Sequence, residues 1–265
     1  MNNQSTVTPW LLTRPDARDI IRVFCLPYAG GGASVYRGWA KELPEGAGIY
    51  PIQLPGRENR IAEPPARDMT TLVHEISRAI VPYLQQPFIL FGHSLGARLA
   101  FEIARNIRRK WNLQPSRLIV SGSRAPEIPE PKPLHGLPDS AFIEELRRFS
   151  GTPEAVLQSR ELMELFLPVL RADFTVDETY VYSADKPLEC PISAFGGTKD
   201  PEAGSKEVQG WARHTSCSFS LEMLEGGHFF LQTARPALLR SVGKILLGHL
   251  AAAAVAGKKE VNAGL

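Results

Sequence analysis

Gly92-His93-Ser94-Leu95-Gly96 sets a serine in the pattern G-x-S-x-G. A continuous apolar run, Phe88 to Phe91, leads into it, and Leu95, Leu99 and Ile103 leave it at helical spacing. Strand before and helix after define a sharp turn that holds a nucleophilic serine in a strained backbone conformation. Glycine on either side lets such a turn pack closely, because no β-carbon intervenes. The helix behind the serine presents free N–H groups and a partial positive charge to an anion. The chemistry this suits is attack on a carbonyl carbon.

A serine hydroxyl needs a base. Of the six histidines, His93 lies on the turn itself and is read as a packed residue. His74, His135, His214 and His249 fall in helical, proline-rich, polar and near-terminal stretches. His228 follows the last strand pattern in Glu225-Gly226-Gly227-His228-Phe229-Phe230, where two glycines permit a tight loop reaching over a sheet edge. The base in turn needs an acid, in the chain order serine, acid, histidine. Asp200, in Gly197-Thr198-Lys199-Asp200-Pro201, fits that order. The lesser alternative is an ordinary Asp-Pro turn residue; Asp173, Asp177 and Asp185 also precede His228 but belong to the insert or its exit, and Glu202 is the nearest substitute. An oxyanion would be held by the backbone N–H of Leu95 and by one from an early loop. The turn Pro27-Tyr28-Ala29-Gly30-Gly31 supplies that loop, with Ala29 as donor, unless it is a plain glycine-rich strand exit. Neither G-x-x-x-x-G-K-[ST] nor G-x-G-x-x-G occurs, so a phosphate cradle is disfavoured.

These residues can meet only if the chain positions them. Apolar strand patterns occur at residues 20–26, 48–54, 88–91, 117–122, 192–197 and 218–224, with helical patterns at 34–43, 70–84, from 95, and at 237–250. Such alternation implies an α/β protein with a mostly parallel central sheet and helices on both faces. Residues 127–186 break it. Phe142, Ile143, Leu146 and Phe149 form one helical stripe, and Leu162, Leu165, Phe166, Val169 and Leu170 another. Pro126, Pro129, Pro131, Pro133 and Pro138 make the entry extended. The expectation is a core of residues 20–126 and 187–250, an inserted helical lid at 127–186, a flexible lead-in at 1–19 and a disordered tail at 251–265.

Thirty basic and 28 acidic side chains give a formal charge of +2, which exerts no general pull on nucleic acid or anionic membrane. The basic cluster Arg105, Arg108, Arg109 and Lys110 would either receive an acidic partner or complement the dipole of its helix. Three cysteines without a CxxC pair argue against a disulfide framework or a structural zinc site. The N-terminus does not read as a signal peptide, and the best apolar stretch, 245–256, is interrupted by Gly248 and His249. A cytoplasmic monomer that needs neither metal nor cofactor is expected.

Six motifs occur in order: Leu26-Pro27-Tyr28-Ala29-Gly30-Gly31, Leu54-Pro55-Gly56-Arg57-Glu58, the Ser94 turn, Ser121-Gly122-Ser123-Arg124-Ala125-Pro126, Leu170-Arg171-Ala172-Asp173-Phe174 and Gly226-Gly227-His228-Phe229-Phe230. Together, over residues 23–250, they resemble the type II (editing) thioesterases of nonribosomal peptide and polyketide synthases. The resemblance implies an α/β-hydrolase fold and a catalytic triad of Ser94, Asp200 and His228. It also implies Ala29 and Leu95 as oxyanion donors. The implied substrate is an acyl or aminoacyl thioester on the phosphopantetheine arm of an acyl or peptidyl carrier protein, with no cofactor. Tyr28, Phe142, Phe166, Leu170, Phe174 and Phe229 are expected to wall the acyl chamber, although the insert's aromatics could simply be its own core. A carboxylesterase or lipase, an acyltransferase, and a binding protein on a degenerate scaffold are the competing readings.

Overall fold

Continuous apolar runs bounded by Pro and Gly become the buried strands of one sheet. The computed structural model describes residues 8–149, 151 and 154–263. Strand β1 (Ile21–Leu26) is buried throughout and ends at Pro27. The helix expected over 34–43 is broken into a 3-10 turn, Ala33–Tyr36, and a short α1 (Trp39–Glu42), because Gly38 between them adopts φ +83°. Strand β2 (Ala47–Pro51) follows. Helix α2 (Met69–Ile80) starts where the Asp68 carboxylate accepts the Thr71 N–H at 2.7 Å, and it tightens into a 3-10 turn at Val81–Tyr83, which contains Pro82. Strand β3 (Phe88–His93) runs straight into α3 (Leu95–Trp111), and β4 (Arg117–Ser121) follows.

The insert comes next, as α4 (Asp139–Phe149), α5 (Glu154–Leu157) and α6 (Arg160–Glu178). The chain then returns as β5 (Ile192–Gly197), α7 (Ser205–Gln209), β6 (Phe219–Leu224), α8 (Phe230–Thr233) and α9 (Arg235–Ala263).

All pairings in the sheet are parallel, in the order β2-β1-β3-β4-β5-β6. Alternate residues of each strand face opposite layers. Phe24, Leu90 and Val120 pack toward α2 and α3, while Cys25, Phe91 and Ile119 pack toward α1 and α9. The register aligns Leu26 with Gly92 and His93 with Ser121, so the carboxyl ends of β1, β3 and β4 share one edge. Ligands of parallel α/β sheets bind outside that edge.

Two expectations about the chain ends change. Residues 1–7 lie outside the described residues, but Trp10 and Leu11 of the supposed lead-in are buried. Leu11 bridges to Ile52, and the Arg60 guanidinium sits 4.4 Å over the Trp10 ring. The last helix starts at Arg235 and continues past Leu250 to Ala263, since neither Gly248 nor His249 stops it. By length and composition its span Arg235–Val255 could cross a membrane, contrary to the sequence reading. Leu238, Leu239, Val242 and Leu246 on it are nevertheless buried against the sheet, as in a core helix.

Candidate active site

Ser94 occupies the junction of β3 and α3 with φ +55° and ψ −122°, a backbone region that non-glycine residues avoid. The flanking glycines explain how the chain tolerates this. A β-carbon on Gly92 would lie 2.0 Å from the Gly96 carbonyl oxygen, and one on Gly96 would lie 2.2 Å from that of Leu26. Both neighbours are backbone, so neither can yield. The Ser94 N–H donates to the Ser121 carbonyl at 2.8 Å, tying the turn to β4.

His228 and Asp200 reach the serine from two loops that touch. A β-carbon on Gly197 would lie 2.6 Å from the Gly227 oxygen, and the Lys199 N–H donates to the Gly226 carbonyl at 2.9 Å. His228 Nε2 is 3.0 Å from Ser94 Oγ, and its Nδ1 is 3.0 and 3.2 Å from the two Asp200 oxygens. Asp200 Oδ1 also accepts the Glu202 N–H at 2.9 Å. With an ionised Asp200 accepting at Nδ1, the imidazole carries its proton there and offers the Nε2 lone pair to the hydroxyl. The Asp200 side chain is fully buried and that of His228 nearly so, which strengthens the charge interaction.

The other candidate acids are engaged elsewhere. Asp173 is held by Arg57, Asp177 by Arg98 at 3.0 Å, and Asp185 by Arg105, Arg108 and Arg109 at 3.7, 2.9 and 3.6 Å. The basic cluster is therefore committed largely to the returning end of the insert. Arg105 is buried and also donates to the Ser183 carbonyl.

His93 is packed as expected, and it has a second duty that sequence reasoning missed. Its Nε2 lies 2.9 Å from the His228 carbonyl oxygen and its Nδ1 2.9 Å from Ser121 Oγ. Burial, and then the charge of His228, hold its pKa well below the ordinary 6.5, so the ring is neutral. A carbonyl only accepts, so Nε2 carries the proton and Nδ1 accepts from the serine. Gly122, at φ +56°, makes room: a β-carbon there would lie 2.6 Å from the ring. The signal in the sequence is a polar residue, Ser121, closing an apolar strand.

Over Ser94 lies a cavity of about 290 Å³. Tyr28, Phe166, Leu170, Phe174 and Phe229 line it, together with Ala29, Leu146, Phe149, Val156 and Val169. Phe142 does not. It is fully buried in the insert's own core, edge-on to Phe174 at 5.4 Å, one layer behind the wall. Phe149, read only as part of a helical stripe, stands edge-on to the His228 ring at 5.8 Å. Arg98, Arg124, Glu130, Asp177, Glu178 and Glu202 add a polar contribution to the lining.

Leu95 is fully buried and does not line the cavity with its side chain, but as the first residue of α3 its N–H lies outside the helix's own hydrogen-bond ladder. The Ala29 N–H has no acceptor among the described residues. No cluster of three or more His, Cys, Asp or Glu side chains arranged for a metal occurs among the described residues.

The thioesterase domain family matches residues 21–246 of this chain. The chain is 40% identical over 246 residues to linear gramicidin dehydrogenase LgrE of Brevibacillus parabrevis, covering 91% of this chain and 94% of that protein. It is 46% identical to the gramicidin S biosynthesis protein GrsT of Aneurinibacillus migulanus, covering 85% and 89%. Among solved structures, the type II thioesterase BorB from the borrelidin biosynthetic cluster superposes with a TM-score of 0.81 at 36% identity, covering 94% and 100%. The redox activity in the first name finds no G-x-G-x-x-G spacing here to bind a dinucleotide.

Proposed function

The chain belongs to the thioesterase family, and from that premise we propose that it is an editing serine hydrolase. It would release acyl or aminoacyl groups from the phosphopantetheine thiol of acyl or peptidyl carrier proteins serving nonribosomal peptide or polyketide synthases. The observation that carries this reading is the unbroken hydrogen-bonded line Ser94–His228–Asp200 beneath a cavity walled in part by aromatic and aliphatic side chains.

Ser94 Oγ attacks the thioester carbonyl carbon while His228 Nε2 takes its proton, and Asp200 stabilises the resulting imidazolium. The N–H groups of Leu95 and Ala29 receive the oxyanion, each worth about 3 kcal/mol to the transition state. The C–S bond then breaks, and the thiol leaves with the proton from His228. A water molecule, deprotonated by His228, attacks the acyl-serine carbonyl carbon; the bond to Ser94 Oγ breaks, the serine takes the proton back from His228, and the carboxylic acid is freed. No cofactor enters these steps. The insert, residues 127–186, acts as the lid over the chamber, and the enzyme works in the cytoplasm as a monomer beside its carrier protein. Names of relatives such as GrsT and BorB, which place those proteins in biosynthetic pathways, support the carrier assignment.

The deciding experiment offers one acyl group as a carrier-protein thioester, a small-molecule thioester and an oxygen ester. Preference for the carrier-bound form is expected. Preference for the oxygen ester would make the protein a carboxylesterase, and transfer of the acyl group to an added amine or alcohol would make it an acyltransferase.

A further inference from the structure

The buried ion pair between Arg57 and Asp173 takes no part in the steps above, yet both of its members are also bonded to the turn that carries Ala29. Arg57 follows the Pro55-Gly56 turn after β2, and Asp173 lies on α6 of the insert. The two meet in bidentate fashion, with Nη1 to Oδ2 at 2.6 Å and Nη2 to Oδ1 at 2.8 Å, and both side chains are buried. Neither group stops at the other. Asp173 Oδ2 also accepts the Gly30 N–H at 2.7 Å, and Arg57 Nη1 also donates to the Gly31 carbonyl at 3.2 Å. The Gly31 N–H is spent within the turn, on the Tyr28 carbonyl at 2.9 Å. The four-residue turn from Tyr28 to Gly31 is thus gripped at Gly30 by an acid and at Gly31 by a base. Ala29, between Tyr28 and Gly30, keeps its N–H free while lining the cavity beside Ser94.

We infer that Arg57 and Asp173 are positioning residues that aim the Ala29 N–H at the oxyanion, with the insert's helix α6 supplying half of the grip. Resting on the hydrolase reading above, this assigns the pair a share in the rate of the reaction and not merely in stability. Charge explains why two residues are needed. A lone carboxylate bound to Gly30 would repel the anion forming nearby, and the paired guanidinium cancels it. Catalytic donors must sit within a fraction of an ångström of their working place, and a misplacement of about 1 Å costs about a hundredfold in rate.

The test uses Asp173→Asn, which keeps the shape and an acceptor for Gly30, and Arg57→Met, which leaves the carboxylate uncompensated. The substrate is a small nitrophenyl ester, which exercises Ser94 and the oxyanion donors without a carrier protein. A failure of the carrier assignment therefore leaves this test intact. The result expected is a fall in kcat of about tenfold for Asp173→Asn and more for Arg57→Met, with KM within about twofold of wild type. Affinity for an alkylboronic acid, whose boron takes up the Ser94 oxygen in a tetrahedral adduct, should fall in parallel with kcat. Should Arg57→Met fail to fold, Asp173→Asn with the boronic acid decides alone. Unchanged kcat and boronate affinity in folded Asp173→Asn would overturn the assignment, as would equal losses in KM and kcat without loss of boronate affinity.

Discussion

The His93 ring and the His228 backbone are hydrogen-bonded, Nε2 to carbonyl oxygen at 2.9 Å. A buried imidazole beside the serine thereby holds the loop that delivers the imidazole above it. Because His93 sits well below its ordinary pKa of 6.5 in the fold, the unfolded chain binds the extra proton. Its contribution to stability is complete above about pH 6.5 and is lost as the pH falls, by up to about 1.4 kcal/mol per pH unit. His93→Gln, which can still donate and accept, should flatten that slope between pH 7 and 5 in urea unfolding. His249, lowered by burial and by Arg117, acts in the same direction but is common to both proteins. An unchanged slope would mean that His93 protonates in the folded state.

Ser94→Ala should lose at least about 10⁴-fold in turnover while its circular dichroism stays that of wild type. Holding a non-glycine residue at φ +55° costs on the order of 1–3 kcal/mol. Ser94→Gly should therefore be equally inactive but melt a few degrees above Ser94→Ala. Retained activity in either variant would exclude Ser94 as nucleophile.

Gly96→Ala should destabilise the protein by about 3 kcal/mol, at the upper end of overpacking costs, since the new methyl would meet the Leu26 backbone. Chemical denaturation measures it. Gly136, whose added β-carbon meets nothing within 4 Å, is the matched control and should change stability little.

Much of this was legible in the sequence, for a physical reason. The turn bearing Ser94, the two loops bearing Asp200 and His228, and five of the six strands start or stop at glycine or proline, whose backbone preferences are local. Tertiary choices were less accessible. That Phe142 sits behind the chamber and Phe149 within it depends on how α4 rolls against α6, and a helical stripe alone cannot say which flank of an apolar face looks inward. Asp173, Asp177 and Asp185 could be set aside by their place in the insert, but the arginines that hold them are distant in the chain and could not be read from it. The docking of Trp10 depends on Arg60, fifty positions away in the chain.

The chamber wall should set acyl preference. Phe174 packs edge-on to both Phe142 and Phe149, at 5.4 and 5.6 Å. Phe174→Ala should enlarge the space over Ser94 and shift kcat/KM toward bulky acyl groups over acetyl by about tenfold. A series of acyl thioesters of increasing size would reveal no shift if the ring does not bound the substrate.

Arg105→Ala should cost about 3 kcal/mol in denaturant unfolding, because it leaves the buried Glu102 carboxylate without its counter-charge, with the Tyr180 hydroxyl still donating to it at 2.7 Å. Arg109 is half exposed, and Arg109→Glu should leave KM for a carrier-bound substrate within about twofold. A large rise in that KM would restore the basic cluster as the landing place of the carrier protein.

The helix that begins beside the nucleophile is also where the returning limb of the insert is moored. Arg98, Arg105 and Arg108, spread along α3, donate to the carbonyls of Asp177, Ser183 and Pro187 at 2.9, 2.6 and 2.7 Å. That limb cannot swing away without pulling on the rod that carries the reactive oxygen. The opposite half of the insert is fastened to this limb in turn: Arg171 on α6 pairs with Asp139 of α4 at 2.6 Å, and Phe142 of α4 stands edge-on to Phe174 of α6. The reactive oxygen and the cavity wall formed by Leu170 and Phe174 are thus carried by two helices, α3 and α6, that are bolted to each other, so a disturbance of either is felt by both.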